Sequence, residues 1–219
     1  MSPPVAVLRP EPGNARTAAR LEAAGRRAIR LPLFAIRPVA WEAPDPARFD
    51  ALLATSANAF RHGGAGLARL TGLPVVTVGE ATAAAARAAG FRVTMTGDAN
   101  AAALAAQLED GRRLLHLAGC ERTEVGFDAG TETITVYAAD ALPVPEASVR
   151  ALAGTVALLH SARAARRLGE LADAADLRGA IRIAALSAAV AAAAGEGWAR
   201  VTVAAAPRDA ALVAAALAD

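Results

Sequence analysis

Leu52-Leu53-Ala54-Thr55-Ser56-Ala57 leads to Val75-Val76-Thr77-Val78-Gly79-Glu80-Ala81-Thr82 and on to Phe91-Arg92-Val93-Thr94, and the chain later runs through much the same order again. The second copy is Leu158-Leu159-His160-Ser161-Ala162, then Ile183-Ala184-Ala185-Leu186-Ser187-Ala188-Ala189-Val190, then Ala199-Arg200-Val201-Thr202. Gly79 stands to Ser187 at the same offset as Val93 to Val201, while Ser56 to Ser161 is three residues shorter. Each copy reads as strand, small-residue turn, helix and strand, with an Ala-rich helical stretch after it. Self-similarity of that span predicts two similarly folded domains with a cleft between them.

Working outward from the repeat, apolar runs and helical stretches alternate without pause. Strands are expected at 49–54, 74–78, 91–95, 113–117 and Thr133 to Ala138 in the first half, with helices from Ser56, at 80–89, after an Asp98 cap and briefly after Gly119. The second half gives strands at 155–160, 181–186 and 200–204, with helices from Ser161, Ala188 and Arg208. Such βα alternation means an α/β fold of parallel sheets flanked by helices. At the start, Val5 to Arg9 reads as a strand, Asn14 as the cap of a helix stopping at Gly25, and Ile29 to Phe34 as a second strand. Two strands are too few for a stable sheet. The expected organisation is therefore a discontinuous domain of residues 1–37 plus 142–219, an inserted domain of 46–132, and linker strands at about 38–45 and 133–141. The Pro-rich segments Pro38 to Pro46, which holds Trp41, and Leu142-Pro143-Val144-Pro145 read as connections.

Composition limits the function classes. Apolar residues make up 55% of the 219, but much of this is Ala and only 4% is aromatic, so the core must be built from small aliphatic side chains at close range. All 23 basic residues are Arg, and the formal charge is only +2. GC-rich coding accounts for that bias simply, while Arg forks also suit carboxylates and phosphates. Sparse aromatics and the small charge argue against a nucleic-acid binder built on Arg26, Arg27 and Arg30 or on Arg163, Arg166 and Arg167. Cys120 is the single cysteine, Met1-Ser2-Pro3-Pro4 opens directly onto a strand, and the longest apolar run, Ile183 to Ala194, is broken by Ser187. A soluble cytoplasmic protein, monomeric and without a membrane partner, is the expectation.

The usual catalytic signatures are missing. The sequence has no P-loop, which needs a Lys, no G-x-S-x-G elbow, and Arg9-Pro10-Glu11-Pro12-Gly13 where a dinucleotide fingerprint would sit. His62, His116 and His160 have no His or Cys partner at metal spacing, and His116 and His160, each ending a Leu-Leu run, read as hydrogen-bonded residues at strand ends. What remains are small polar residues at the carboxyl ends of strands: Thr55-Ser56-Ala57-Asn58, Gly79-Glu80-Ala81-Thr82, Ala118-Gly119-Cys120, Ser161-Ala162 and Ser187-Ala188. For any one turn, helix capping explains the residues as well as ligand binding does. Five such turns spread over both copies favour an anionic ligand.

The segments Thr55-Ser56-Ala57-Asn58-Ala59, Val78-Gly79-Glu80-Ala81-Thr82-Ala83 and Ile134-Thr135-Val136-Tyr137, with the opening Val7-Leu8-Arg9-Pro10, Gly25 and Leu31-Pro32-Leu33, resemble the uroporphyrinogen-III synthases over essentially the whole chain. The resemblance implies two similar α/β domains joined by a two-stranded linker. It also implies closure of hydroxymethylbilane, a linear tetrapyrrole with eight carboxylates, to uroporphyrinogen III. Water is lost and the last pyrrole inverts through a spiro intermediate, with no metal or organic cofactor. Tyr137, the only Tyr, is by resemblance the residue that hydrogen-bonds the leaving hydroxyl, a packed linker residue being the alternative role. Arg9, Thr55, Ser56, Asn58, Gly79, Thr82, Gly119, Arg122, Ser161, Ala162 and Ser187 are the expected substrate ligands. The sequence departs from the family pattern after Ser187, where Ala188-Ala189-Val190 replaces Thr residues. From a different class, a noncatalytic hinged receptor for a small polyanion is the alternative.

Overall fold

The computed structural model describes residues 2–97, 104, 111–121 and 130–218. The chain divides into two compact units, one made of Met1–Ala35 with Ala141–Asp219 and the other of Ile36–Asp140. In the first unit the strands are β1 (Val5–Val7), β2 (Ala28–Arg30), β9 (Val156–Leu159), β10 (Arg182–Ala185) and β11 (Arg200–Val203). They pair in parallel in the order β11-β10-β9-β1-β2. In the second, β4 (Ala51–Ala54), β5 (Val75–Val78), β6 (Val93–Gly97), β7 (Leu114–Gly119) and β8 (Thr131–Ala141) are also parallel, in the order β6-β5-β4-β7-β8. β3 (Phe34–Pro38) lies on the outer side of β8. Hydrogen bonds from Val39 N–H to the Val136 carbonyl and from Leu142 N–H to the Leu33 carbonyl run these two connecting segments antiparallel.

The two sheets share one strand order, but the units start at different strands of it. In the second unit the sheet opens in sequence at β4. In the first, the strands matching β7 and β8 are β1 and β2, which come before β9 in the chain. Both central strands are continuous apolar runs, as strands covered on both faces must be. All four residues of β4 and of β9 are buried.

Helices α1 (Gly13–Ala23) and α7 (Asp209–Leu217) cover one face of the first sheet, where Ala18, Leu21, Leu212, Val213 and Ala216 pack with Val5, Val7, Val156, Leu158 and Ala184. α4 (Glu146–Arg150) leads into β9, and α5 (Ala162–Ala174) and α6 (Ala188–Ala194) pack against each other and against β9 and β10. In the second unit, α2 (Asn58–His62) and α3 (Glu80–Ala88) contribute Ala59, Phe60 and Ala86 to a core with Leu52, Leu70, Phe91, Leu115, Leu117 and Val136. Ala51, Leu53, Val76, Leu104 and Leu114 make a smaller cluster. Burial of such aliphatic area at about 25 cal/mol per Å² is the main stabilising term.

Several elements differ from expectation for identifiable reasons. The strand expected over Ile29 to Phe34 is broken: β2 ends at Arg30 and β3 begins at Phe34. Pro32 has no N–H to continue the ladder, while Leu31 and Leu33 on either side still donate to Val7 and Leu8. Asn14 does not cap α1. Its side chain is buried and donates to the Val7 (2.7 Å) and Arg9 (3.0 Å) carbonyls, so it ties the helix to the end of β1. The left-handed stop at Gly25 is present, with φ +73. The helix expected from Ser56 shortens to α2 and passes into a 3-10 segment over Gly64–Leu70. The Gly63 carbonyl accepts the Trp41 indole N–H at 2.8 Å, and a Cβ at Gly66 would meet the same indole at 2.7 Å. Trp41 therefore packs on the second unit's core instead of belonging to a bare connection. The helix expected after Asp98, the segment after Glu121 and Arg122 itself lie outside the described residues.

Candidate active site

In both sheets the strand order reverses once, between β4 and β7 in the second unit and between β9 and β1 in the first. Chain connections leave in opposite directions at such a point and open a crevice at the carboxyl ends of the strands, which is where open α/β sheets take ligands. The residues at these ends are Thr55, Ser56 and Gly119 in one unit and Arg9, His160 and Ser161 in the other. Arg9, Thr55, Ser56, Gly119 and Ser161, five of the eleven expected substrate ligands, thus stand at reversal points for a topological reason. Gly79 and Thr82 follow β5, and Ser187 follows β10, each one strand further out.

The turns differ in what they leave available. Ser161 accepts the Ala164 N–H (3.2 Å) and Ser187 accepts the Val190 N–H (3.4 Å), so both are helix caps. Ser56 accepts the Asn58 N–H at 3.3 Å, and Thr55 beside it is exposed. Gly79 donates its N–H to Gly97 and opens α3. Thr82 lies buried in the first turn of α3, as Val190 does at the matching place in α6. Ala162 starts α5 directly behind Ser161.

At the first unit's reversal point, sequence reasoning missed a cluster centred on Asp209, the first residue of α7. Its Oδ1 accepts from Thr17 Oγ1 at 2.7 Å, His160 Nε2 at 2.8 Å and Arg9 at 3.2 Å, and Oδ2 meets Arg20. These partners come from α1, the end of β9 and the end of β1, so one carboxylate ties three elements together at the strand ends. Burial alone would raise the Asp209 carboxyl, but hydrogen bonds from His160 and Thr17, with the charges of His160 and Arg9, hold it well below the usual range. Burial lowers Arg9, and Asp209 partly offsets this. With Arg16 and Arg20 also acting on Arg9, the positive charge exceeds the single carboxylate, as a site for a polyanion requires. In the sequence, the one signal for Asp209 is an acidic residue in a first helical turn, a common dipole arrangement that names no partner.

Burial pushes the His160 imidazole below its usual value, more than Asp209 raises it. Because the unfolded chain binds the proton more readily, stability rises with pH across this range and is lost as pH falls below about 6.5. We expect the wild-type protein to lose stability between pH 7 and 5 and His160→Gln to show a shallower slope in denaturant titrations. His62, shifted the same way by burial and Arg61, acts in the same direction. Equal slopes in the two proteins would remove His160 from this role.

The second unit places Tyr137 beside the end of β7. Tyr137 lies on β8 opposite Gly119, the last residue of β7, and its carbonyl accepts the Cys120 N–H at 2.9 Å. The ring is half-buried against the core. His116 is buried within β7, level with Thr133 and Leu53, and does not stand at the strand end. Arg26 donates to Leu217 (2.9 Å), Arg30 to Asn14 (3.1 Å), and Arg163 stacks over Phe34 at 4.2 Å, so these three members of the two Arg clusters are engaged within the chain. Among the described residues, no group of three or more His, Cys, Asp or Glu side chains is placed to hold a metal ion, and no helix is long and apolar enough to cross a membrane.

Residues 15–214 match the family described as uroporphyrinogen-III synthase HemD. No curated protein matches the chain by sequence. Among solved structures, the chain is similar to uroporphyrinogen-III synthetase from Helicobacter pylori, at 16% identity and a TM-score of 0.68, over 100% of this chain and 99% of that one. It is also similar to a mutant uroporphyrinogen III synthase from the extremely thermophilic bacterium Thermus thermophilus, at 17% identity and a TM-score of 0.57, over 96% of each chain. At these identities the two structures bear on the fold alone.

Proposed function

We propose that this chain, which belongs to the uroporphyrinogen-III synthase family, closes hydroxymethylbilane to uroporphyrinogen III with loss of water and inversion of the terminal ring. The family match over residues 15–214 carries this reading. Tyr137, on β8 opposite the last residue of β7, is the hydroxyl assigned to the departing group in this reading.

The Tyr137 O–H donates to the terminal hydroxyl of the substrate and eases its departure as water. What remains is a delocalised azafulvene cation, which needs orientation more than a strong nucleophile. Attack at the substituted carbon of the last ring gives the spiro intermediate, whose rearrangement inverts that ring before the macrocycle closes. Unassisted closure gives the uninverted isomer, so the main contribution of the protein is to hold the chain for the other attack.

The eight carboxylates of the substrate account for the rest of the site. Arg9 and Arg122 pair with carboxylates, and Thr55, Ser56, Asn58, Ser161, Ala162 and Ser187 receive them through hydroxyl, amide and helix N-terminal N–H groups, whereas the Gly79 N–H is committed to the Gly97 carbonyl. The hydrogen bonds that hold Arg9 to Thr17 and Asp209 support this role by limiting its freedom. We place the enzyme in the cytoplasm as a monomer working without metal or organic cofactor.

The purified chain, given freshly made hydroxymethylbilane, is expected to yield the type III isomer, read by separation of the oxidised porphyrins. Type I alone, as in the blank without protein, would overturn the assignment.

A further inference from the structure

We propose that Gly119 is the positioning residue for Tyr137: the space left by its missing side chain is the seat in which the phenol lies. This rests on the reading of Tyr137 as the group that meets the leaving hydroxyl. A Cβ built on Gly119 would stand 2.7 Å from Tyr137 Cζ, 2.8 Å from Cε2 and 2.9 Å from the phenol oxygen. All three distances are below van der Waals contact, so the hydroxyl-bearing end of the ring lies directly over the Gly119 Cα.

Backbone conformation does not account for the glycine. Gly119 is absent from the residues with positive φ, a group that includes Gly79 and Gly90. What excludes a side chain is the ring. The strands have shifted to bring it there: Ala118 pairs with Thr135 but Gly119 pairs with Tyr137, so β8 spends one extra residue, Val136, at this point. Val136 is fully buried in the core. A bulge of this kind re-aims the side chain beside it. Fixed on one side by the Cys120 N–H bond to its carbonyl and on the other by the core, Tyr137 has little freedom to yield to a methyl group. Gly119 therefore acts on the reaction through the phenol and not by touching substrate.

Because Tyr137 is the only Tyr in the chain, ring-labelled tyrosine gives NMR signals from this residue alone, in the full-length protein and without substrate. In Gly119→Ala those ring signals are expected to move, kcat to fall about 10- to 100-fold and KM to stay within about twofold, as a misplaced catalytic group implies. The double variant Gly119→Ala/Tyr137→Phe should be no slower than Tyr137→Phe. Unmoved ring signals overturn the proposal, as does a raised KM with kcat intact, or losses that multiply in the double variant. If Gly119→Ala does not fold, Gly119→Ala/Tyr137→Val, which returns the space, is expected to fold, and its failure would also overturn the seat. The ring signals are read without turnover, so a protein that makes no type III isomer refutes the function and leaves the seat to be judged separately.

Discussion

Tyr137→Phe is expected to lower kcat on hydroxymethylbilane by about 10²-fold while leaving the melting temperature and KM close to wild type. The substitution keeps the ring that fills the space over Gly119 and packs on the second unit's core, and removes only the oxygen. Ground-state binding should change little, since the carboxylates of the substrate are held elsewhere. The barrier should rise because the departing hydroxyl loses its donor. Comparison of initial rates of type III formation with thermal melts of the same preparations decides the matter. An unchanged kcat would take the phenol out of the mechanism, and a Tm lowered by several degrees would assign the loss to folding.

The largest stability effect is expected at Asp209. Asp209→Ala should cost about 2–3 kcal/mol, a fall in Tm of about 5–10 °C, because Arg9, His160 and Thr17 lose their common acceptor at a site where water reaches them poorly. The magnitude is kept below that for a fully buried pair. The Asp209 side chain retains 17% of its exposure and that of Arg9 29%, so solvent partly compensates. Asp209→Asn, which keeps an acceptor but not the charge, should fall between the two proteins. The wild-type contribution is full above the unfolded carboxyl value near pH 4 and is lost as pH falls toward the depressed folded value. Denaturant midpoints at pH 7 test this, and a midpoint for Asp209→Ala equal to wild type would refute it.

Local pattern reveals what depends on local pattern. The alternation of apolar runs with Ala-rich helical stretches made the α/β class legible, and the Ser161 and Ser187 caps were visible because a cap and the N–H it serves lie three residues apart. Legibility failed where a residue answers to a distant partner. Asn14 has the chemistry of a cap, yet the carbonyls of Val7 and Arg9 claim it. Trp41 sits in a Pro-rich stretch that reads as a connection, but its indole holds the Gly63 carbonyl and leaves room only for glycine at 66. Asp209 and Thr17 are 192 residues apart, and no periodicity links them. The repeat itself gave one more clue than it first offered. His160, where the other copy has Thr55, marks the strand end at which the charged cluster forms.

The shared strand order with different starting points also fixes a sequence of events during synthesis. β1 and β2 leave the ribosome early, but β1 must wait for β9 as its other neighbour, and β9 follows the whole of Ile36–Asp140. The inserted unit has all of its own parallel strands translated before the enclosing one has more than two of its five. A growing chain therefore carries an apolar, half-made sheet until β9 is made, and the helix with Asp209 at its head follows only after β10 and β11.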